Sequence, residues 1–403
     1  MKPIGEWLNK IHCGNAYELL KQMPSESVDC VITSPPYYGL RDYGSGADTV
    51  FGGDPNCEHE WSEGKMTLVH ENRNFLVGSQ EEVHGKRGTT YIRKFDDRKS
   101  GFCAKCRAWK GQLGLEPDWR MYVEHLVELF REVKRVLKKT GSFWLNIGDT
   151  YAGKSMNWTE EYRPKCLMGI PWRVAFALID DGWILRNAVV WFKPSHMPES
   201  VKDRLTRTYE YVFHFVKSEK YYYNLDNIRE PYKAGDSIEE ILKYWGADKH
   251  GEYHGKAVKD YESARAQNAA EVKRRIIENL KSKYQRLDCP LGKNPGDLWS
   301  INTRPFKEAH FATFPPELPL KPILASCPPD GVVLDPLAGS GTVAYTCELI
   351  NRGMWDEFRV YVNETAKRIK WNLKWIMIEI NPEYCKIMEK RLEPFIKQST
   401  LDV

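Results

Sequence analysis

The chain has 403 residues, 42% of them hydrophobic, and its 59 basic against 55 acidic side chains leave a net charge of only +4. That length suits two or three compact units and the composition suits a buried core, while the charge excludes a globally basic coat, so any nucleic-acid surface must be a local patch. No apolar run approaches the roughly 20 residues of a membrane span, so the expectation is a cytoplasmic protein without membrane partners, in which clustered cysteines point to metal rather than disulfides.

In chain order, "GNAYELLKQMPSESVDCVITSPPY" reads as a short helix, a turn at Pro24 and a buried strand from Val28 to Thr33. Pro35 and Pro36 cannot donate to a ladder and fix their own backbone angle, so they end that strand at a rigid corner presenting Ser34 and Tyr37. "DWRMYVEHLVELFREVKRVLKKTGSFWLNIGD" repeats the plan, with helical spacing from Tyr122 to Leu137, a stop at Thr140-Gly141 and a strand from Ser142 to Ile147. "PWRVAFALIDDGWILRNAVVWFKP" and "YEYVFHFVKS" continue the alternation, which indicates a doubly wound α/β sheet.

Between the first strands, Cys57-x-His59 and Cys103-x-x-Cys106 supply three thiols and an imidazole, a set suited to a closed, tetrahedral and therefore structural zinc site. Such a metal would clip the long loop from Gly44 to Leu115; His70 and His84 are alternatives to His59. From about Tyr221 to Gln285 the chain turns polar and helical in period, and reads as a separate module. α/β character then resumes in "PDGVVLDPLAGSGTVAYTCELI" and "WIMIEINPEYCKIMEKRL". The turn from Leu334 to Thr342 lets backbone approach a ligand at a helix N-terminus, and lacks the Lys of a phosphate loop. Glu379, at the end of the next strand, suits two ribose hydroxyls, so the pair implies a nucleoside cofactor.

Ser34-Pro35-Pro36-Tyr37 followed by Asp335-Pro336-Leu337-Ala338-Gly339-Ser340-Gly341 resembles the DNA amino-methyltransferases that use S-adenosylmethionine, in the β-type order with the catalytic motif first. The resemblance covers roughly residues 8 to 220 and 294 to 395. It implies a Rossmann-like methyltransferase sheet whose catalytic half is 1–220, with a zinc-clipped insertion at 44–115, and whose cofactor-binding half is 294–403. A mainly helical target-recognition region at 221–293 would lie between the halves. Asp335, Leu337, Gly339, Gly341 and Thr342 would surround the cofactor's methionine part and Glu379 its ribose. Asn15 stands where the family has an Asp contacting adenine, and His310, Phe311, Phe314 and Lys321 lie in the segment that closes over the cofactor. Arg41, Trp191, Lys193, Arg204 and Arg207 are candidates for the target base or its phosphates.

The corner's chemistry follows from the substrate. An exocyclic amino nitrogen is a poor nucleophile because its lone pair is delocalised. Ser34 Oγ and the Pro35 carbonyl, by accepting its two N–H bonds, would turn that lone pair toward the methyl group. Tyr37 would stack on the extruded base. The absence of any Pro-Cys pair argues against methylation at cytosine carbon-5. Ser at the first corner position leans toward N4 of cytosine, with N6 of adenine second. Double-stranded DNA is the implied partner, and a cognate restriction endonuclease a system partner. More distant alternatives are an RNA or protein amide methyltransferase and a non-catalytic zinc-containing nucleic-acid binding protein; a nicotinamide oxidoreductase would need a Gly-x-Gly-x-x-Gly turn, which is missing. The insertion from Asn351 to Trp371 has no assigned role.

Overall fold

A computed structural model describes residues 2–61, 101–153, 163–232, 291–305 and 313–399. The described residues divide into two compact units, one of residues 1–223, 297–360 and 370–403, the other of 224–296 and 361–369.

The first unit is built on an eight-stranded sheet: β1 (Lys10–Cys13), β2 (Val28–Thr33), β6 (Leu137–Ile147), β7 (Ile184–Phe192), β8 (Tyr209–Val216), β9 (Leu298–Ser300), β10 (Val332–Asp335) and β11 (Lys374–Glu379). Their order is β1-β11-β10-β2-β6-β8-β7-β9. Five of the seven pairings are parallel, and β8 alone runs antiparallel to its two neighbours. The architecture is thus mixed α/β with a mostly parallel central sheet.

β2 is buried along its whole length, as expected of a parallel strand covered on both faces. Successive side chains point to opposite faces. Val31 joins a core with Leu126, Phe130 and Phe143, whereas the thiol of Cys30 lies 3.6 Å from Ser326 Oγ of α4 (Glu317–Ser326). On the first face α1 (Ala16–Gln22), α2 (Trp119–Val136) and α3 (Ile170–Asp180) pack in sequence; α4, α5 (Thr342–Asn351) and α7 (Pro382–Ser399) form a second group. Asp118 caps α2 by accepting the Arg120 N–H at 2.7 Å.

The expected stop at Thr140-Gly141 is not one. β6 begins at Leu137, and its register against β2 jumps from Val28↔Leu137 to Cys30↔Ser142, so those residues form a bulge inside a continuing strand. A separate three-stranded sheet, ordered β3-β5-β4, is made by β3 (Thr49–Phe51), β4 (Gly101–Phe102) and β5 (Trp109–Gly111).

In the second unit, Glu230 bridges Lys293. Asn363 caps the one-turn helix α6 (Glu364–Lys367), and its amide donates to the carbonyls of Arg229 at 2.9 Å and Leu291 at 3.1 Å. Part of the unexplained 351–371 insertion therefore belongs with the central segment. The basic stretch Lys273 to Arg286 lies outside the described residues. No helix among those described is long and apolar enough to cross a membrane.

Candidate active site

The corner after β2 is held from three directions. Ser34 Oγ donates to Tyr37 Oη at 3.2 Å, and the Tyr37 hydroxyl donates to Glu210 Oε2 at 2.8 Å, with Asn146 Oδ1 at 3.1 Å. Asn146 Nδ2 donates to the same Glu210 oxygen at 3.2 Å, Lys193 pairs with the other, and the Tyr122 hydroxyl donates to the Pro36 carbonyl at 2.8 Å. Burial pushes the Glu210 carboxyl up, but the Lys193 charge and the bonds from Lys193, Tyr37 and Asn146 outweigh it, so it lies below the ordinary Glu range. Burial, then that carboxylate's charge, push the Tyr37 phenol well above its usual value. Tyr37 therefore stays protonated and donates to Glu210. With the Ser34 proton directed at Tyr37, the lone pairs of Ser34 Oγ remain free to accept an N–H.

The glycine-rich turn emerges beside this corner because β10 pairs in parallel with β2. Thr33 Oγ1 donates to Asp335 Oδ1 at 2.7 Å, joining the two sequence motifs across 302 positions. The Leu337 N–H donates to the same oxygen at 3.1 Å. Asp335 is 1% exposed, and burial, with a contribution from Glu379's charge, raises its carboxyl to about 7. Glu379, ending β11, accepts the Gly339 N–H at 2.8 Å and the Asn381 N–H at 2.9 Å; burial raises it to about 6. Gly341 enters α5 with φ +72°, and a Cβ there would sit 2.3 Å from Met388 Cγ, so no other residue fits without displacement. Asn15, after β1, caps α1 by accepting the Glu18 N–H at 3.3 Å and donates to Thr49 Oγ1 at 2.9 Å.

Because β1, β11, β10 and β2 are adjacent and parallel, Asn15, Glu379, Asp335 and Ser34 share one end of the sheet, the carboxyl end where open α/β sheets bind ligands. This arrangement fits a cationic nucleoside. Two buried carboxylates stand beside a left-handed glycine turn, and Glu379 keeps lone pairs for hydroxyl donors after its two backbone bonds. Asn15 Oδ1 keeps one lone pair beyond its cap.

Of the remaining candidates, Phe314 is half-buried and His310 and Phe311 fall outside the described residues. Lys321 lies with its ammonium 5.5 Å from the centre of the Trp299 ring. Trp191 requires correction as a base contact: it is 2% exposed, and its indole donates to the Ile301 carbonyl at 2.9 Å, so it packs the core. Lys193 lies over its ring at 4.2 Å. Arg204 pairs with Glu199 at 2.5 Å and covers Tyr151 at 3.9 Å, while Arg207 and Arg41 each keep one buried guanidinium nitrogen without a hydrogen-bond partner among the described residues. Sequence reasoning missed the anchoring role of Glu210; its one signal was a carboxylate among the apolar residues of "YEYVFHFV".

Cys57, His59, Cys103 and Cys106 do converge, with ligand atoms all within 4.8 Å of one another. Cys57 Sγ lies 3.9 Å from Cys103 Sγ, and Cys106 Sγ 3.3 Å from His59 Nδ1. A tetrahedral zinc with ordinary bond lengths separates two sulfurs by about 3.8 Å. The Cys103–Cys106 turn closes through Arg107, whose φ is +64° and whose N–H donates to the Cys103 carbonyl at 2.9 Å. His70 and His84 lie outside the described residues.

Residues 28–390 match a family described as DNA methylase, N6_N4_Mtase. The chain is 33% identical to the Type II methyltransferase M.XycI of Xanthomonas campestris pv. cyanopsidis, over 94% of this chain and 86% of that one. Identity to the Type II methyltransferase M.Cfr9I of Citrobacter freundii is 32% over the same shares, and to the Type II methyltransferase M.SmaI of Serratia marcescens 30% over 95% and 90%.

Proposed function

The chain belongs to the N6/N4 DNA methylase family, and from that premise we propose that it methylates N4 of cytosine in double-stranded DNA, using S-adenosylmethionine. The observation that carries this is the 2.7 Å bond from Thr33 to Asp335, which sets the Ser34-Pro35-Pro36-Tyr37 corner against the turn that suits the cofactor. The cofactor supplies an electrophilic methyl group. Asp335, Glu379 and the turn from Leu337 to Thr342 would hold it. Ser34 Oγ and the Pro35 carbonyl would accept the two amino protons of an extruded base, and the Tyr37 ring, fixed by Glu210, would stack on it. Ser34, a neutral acceptor in place of a carboxylate, supports cytosine over adenine. Residues 221–293 would read the target sequence, with the Lys/Arg-rich stretch 273–286 on phosphates.

The test is nucleoside mass spectrometry on duplex DNA incubated with methyl-labelled S-adenosylmethionine. N4-methylcytosine is expected, and its loss in Ser34→Ala; N6-methyladenine would overturn the choice of base, and no label the reading as a whole. The same reading gives Cys57, His59, Cys103 and Cys106 a structural zinc, supported by the convergence of their ligand atoms within 4.8 Å of one another. Elemental analysis of purified protein is expected to find about one zinc per chain, lost in Cys103→Ser/Cys106→Ser.

A further inference from the structure

The Cys57, His59, Cys103 and Cys106 cluster stands at one end of the small sheet and the proposed methyl-transfer site lies beyond the other. β5 leaves the Cys103–Cys106 turn, pairs with β3 and β4, and runs directly into Gln112. Gln112 is 3% exposed and uses its whole amide on one neighbouring segment. Its Oε1 accepts the Tyr43 N–H at 2.9 Å, and its Nε2 donates to Asp42 Oδ1 at 2.9 Å and to the Gly44 carbonyl at 2.7 Å. That segment follows the catalytic corner and reaches the cofactor side. The Tyr43 carbonyl accepts from Asn381 Nδ2 at 3.2 Å, and the Asn381 N–H donates to Glu379.

Two further contacts run the same way. Gly114 lies so close to the corner that a Cβ would sit 3.1 Å from the carbonyl oxygens of Pro36 and Tyr37, and its own carbonyl accepts the Gly39 N–H at 2.7 Å. On β3, Thr49 Oγ1 accepts from Asn15. Below them, Phe51 and Trp109 stack on His125, which pairs at 3.0 Å with Glu116; Glu116 in turn accepts the Gly114 N–H at 2.7 Å. The strands of this sheet are only two or three residues long and their rings rest on His125 of α2, so fixing the four ligands at one end adds to what holds Gln112 at the other.

We propose that the metal-held sheet is the positioning element of the methyl-transfer site, acting through Gln112 on residues 42–44 and so on Asn381 and Glu379. This rests on the reading that the cluster binds zinc and that Glu379 holds the cofactor ribose. Metal occupancy then sets cofactor affinity, although no ligand of the metal touches the cofactor site.

The experiment measures S-adenosylmethionine binding by calorimetry on the full chain, as purified, after zinc removal by chelation under reducing conditions, and after zinc is restored, with metal content determined for each sample. Stripping is expected to weaken binding at least tenfold, reversibly. Gln112→Leu, of similar volume but lacking all three bonds, is expected to retain zinc, to bind at least tenfold more weakly, and to lose no more than a further twofold on stripping. That non-additivity separates positioning through Gln112 from general destabilisation. Unchanged affinity of the stripped wild type overturns the proposal, as does wild-type affinity in Gln112→Leu or multiplication of the two losses. Should Gln112→Leu fail to fold, Gln112→Met, which also lacks all three bonds, takes its place in the comparison. A wild type that neither contains nor takes up zinc refutes the metal role, whereas one that holds zinc but binds no S-adenosylmethionine refutes the functional reading beneath it.

Discussion

Removing the Glu210 carboxylate tests the anchor of the catalytic corner. Glu210 and Lys193 are about one-fifth exposed, at 18% and 20% of their side chains. Breaking a fully buried pair costs about 3–5 kcal/mol and an exposed one about 0–1, so Glu210→Ala should cost about 2–3. Part of that is the Tyr37 hydroxyl, which keeps Asn146 Oδ1 as a substitute acceptor; most is the unpaired Lys193 ammonium over Trp191. Adding Lys193→Met removes that ammonium, so the double variant should recover about 1–2 kcal/mol relative to the sum of the singles. Urea unfolding followed by tryptophan fluorescence measures the stabilities, and single-turnover methylation should fall roughly tenfold to hundredfold as Tyr37 loses its fixed position. A cost for Glu210→Ala under about 0.5 kcal/mol, or strict additivity, would refute the anchor.

Cofactor affinity should weaken as pH falls from 8 to 5.5. Asp335, raised to about 7, and Glu379, raised to about 6, then take up protons and lose their attraction for a cation, by at most about tenfold per unit for each group. Calorimetry across pH checks this, and Asp335→Asn should move the onset down toward 6. Buried His214, stacked on Trp144 with its Nε2 3.0 Å from Ser142 Oγ, has its imidazole lowered to about 3 by burial, with a contribution from Arg186's charge. The unfolded chain binds that proton from 6.5 downward and the folded one does not, so stability present above 6.5 is lost below it. The loss is about 1.4 kcal/mol per unit, or about 2 kcal/mol at pH 5, and His214→Leu should flatten that acid limb in urea titrations. Gly341→Ala combines a left-handed φ with displacement of buried Met388, and should cost about 3 kcal/mol and most of the cofactor binding.

The two motifs were legible because each is a local solution to a local demand, the proline corner at a strand end and the glycine turn at a helix start. The alternation of helix and strand was legible for the same reason. Partnership across the fold was not. Thr33 meets Asp335 and Tyr37 meets Glu210 over separations that periodicity cannot register. The family resemblance made Trp191 a candidate base contact, yet an apolar strand position turned it inward. Thr140-Gly141 carried the signal of a turn, but pairing on both sides of the bulge kept β6 running through it. Gln112 gave no signal at all, since an isolated glutamine after a short strand is commonplace and its three partners lie 68 to 70 positions earlier.

The strand order has a consequence for the making of the protein. β2 leads into the proline corner, yet one of its two neighbours is β10, and Glu379 follows on β11. A ribosome adding about 5 to 20 residues each second takes roughly twenty to seventy seconds between Thr33 and Glu379. For most of that interval a strand that ends wholly buried has one edge waiting for β10. Until then the nascent chain exposes that edge and holds only one of the two motifs in place. The two motifs meet only when the last strands dock, so an incomplete translation product carries the proline corner without the glycine turn beside it.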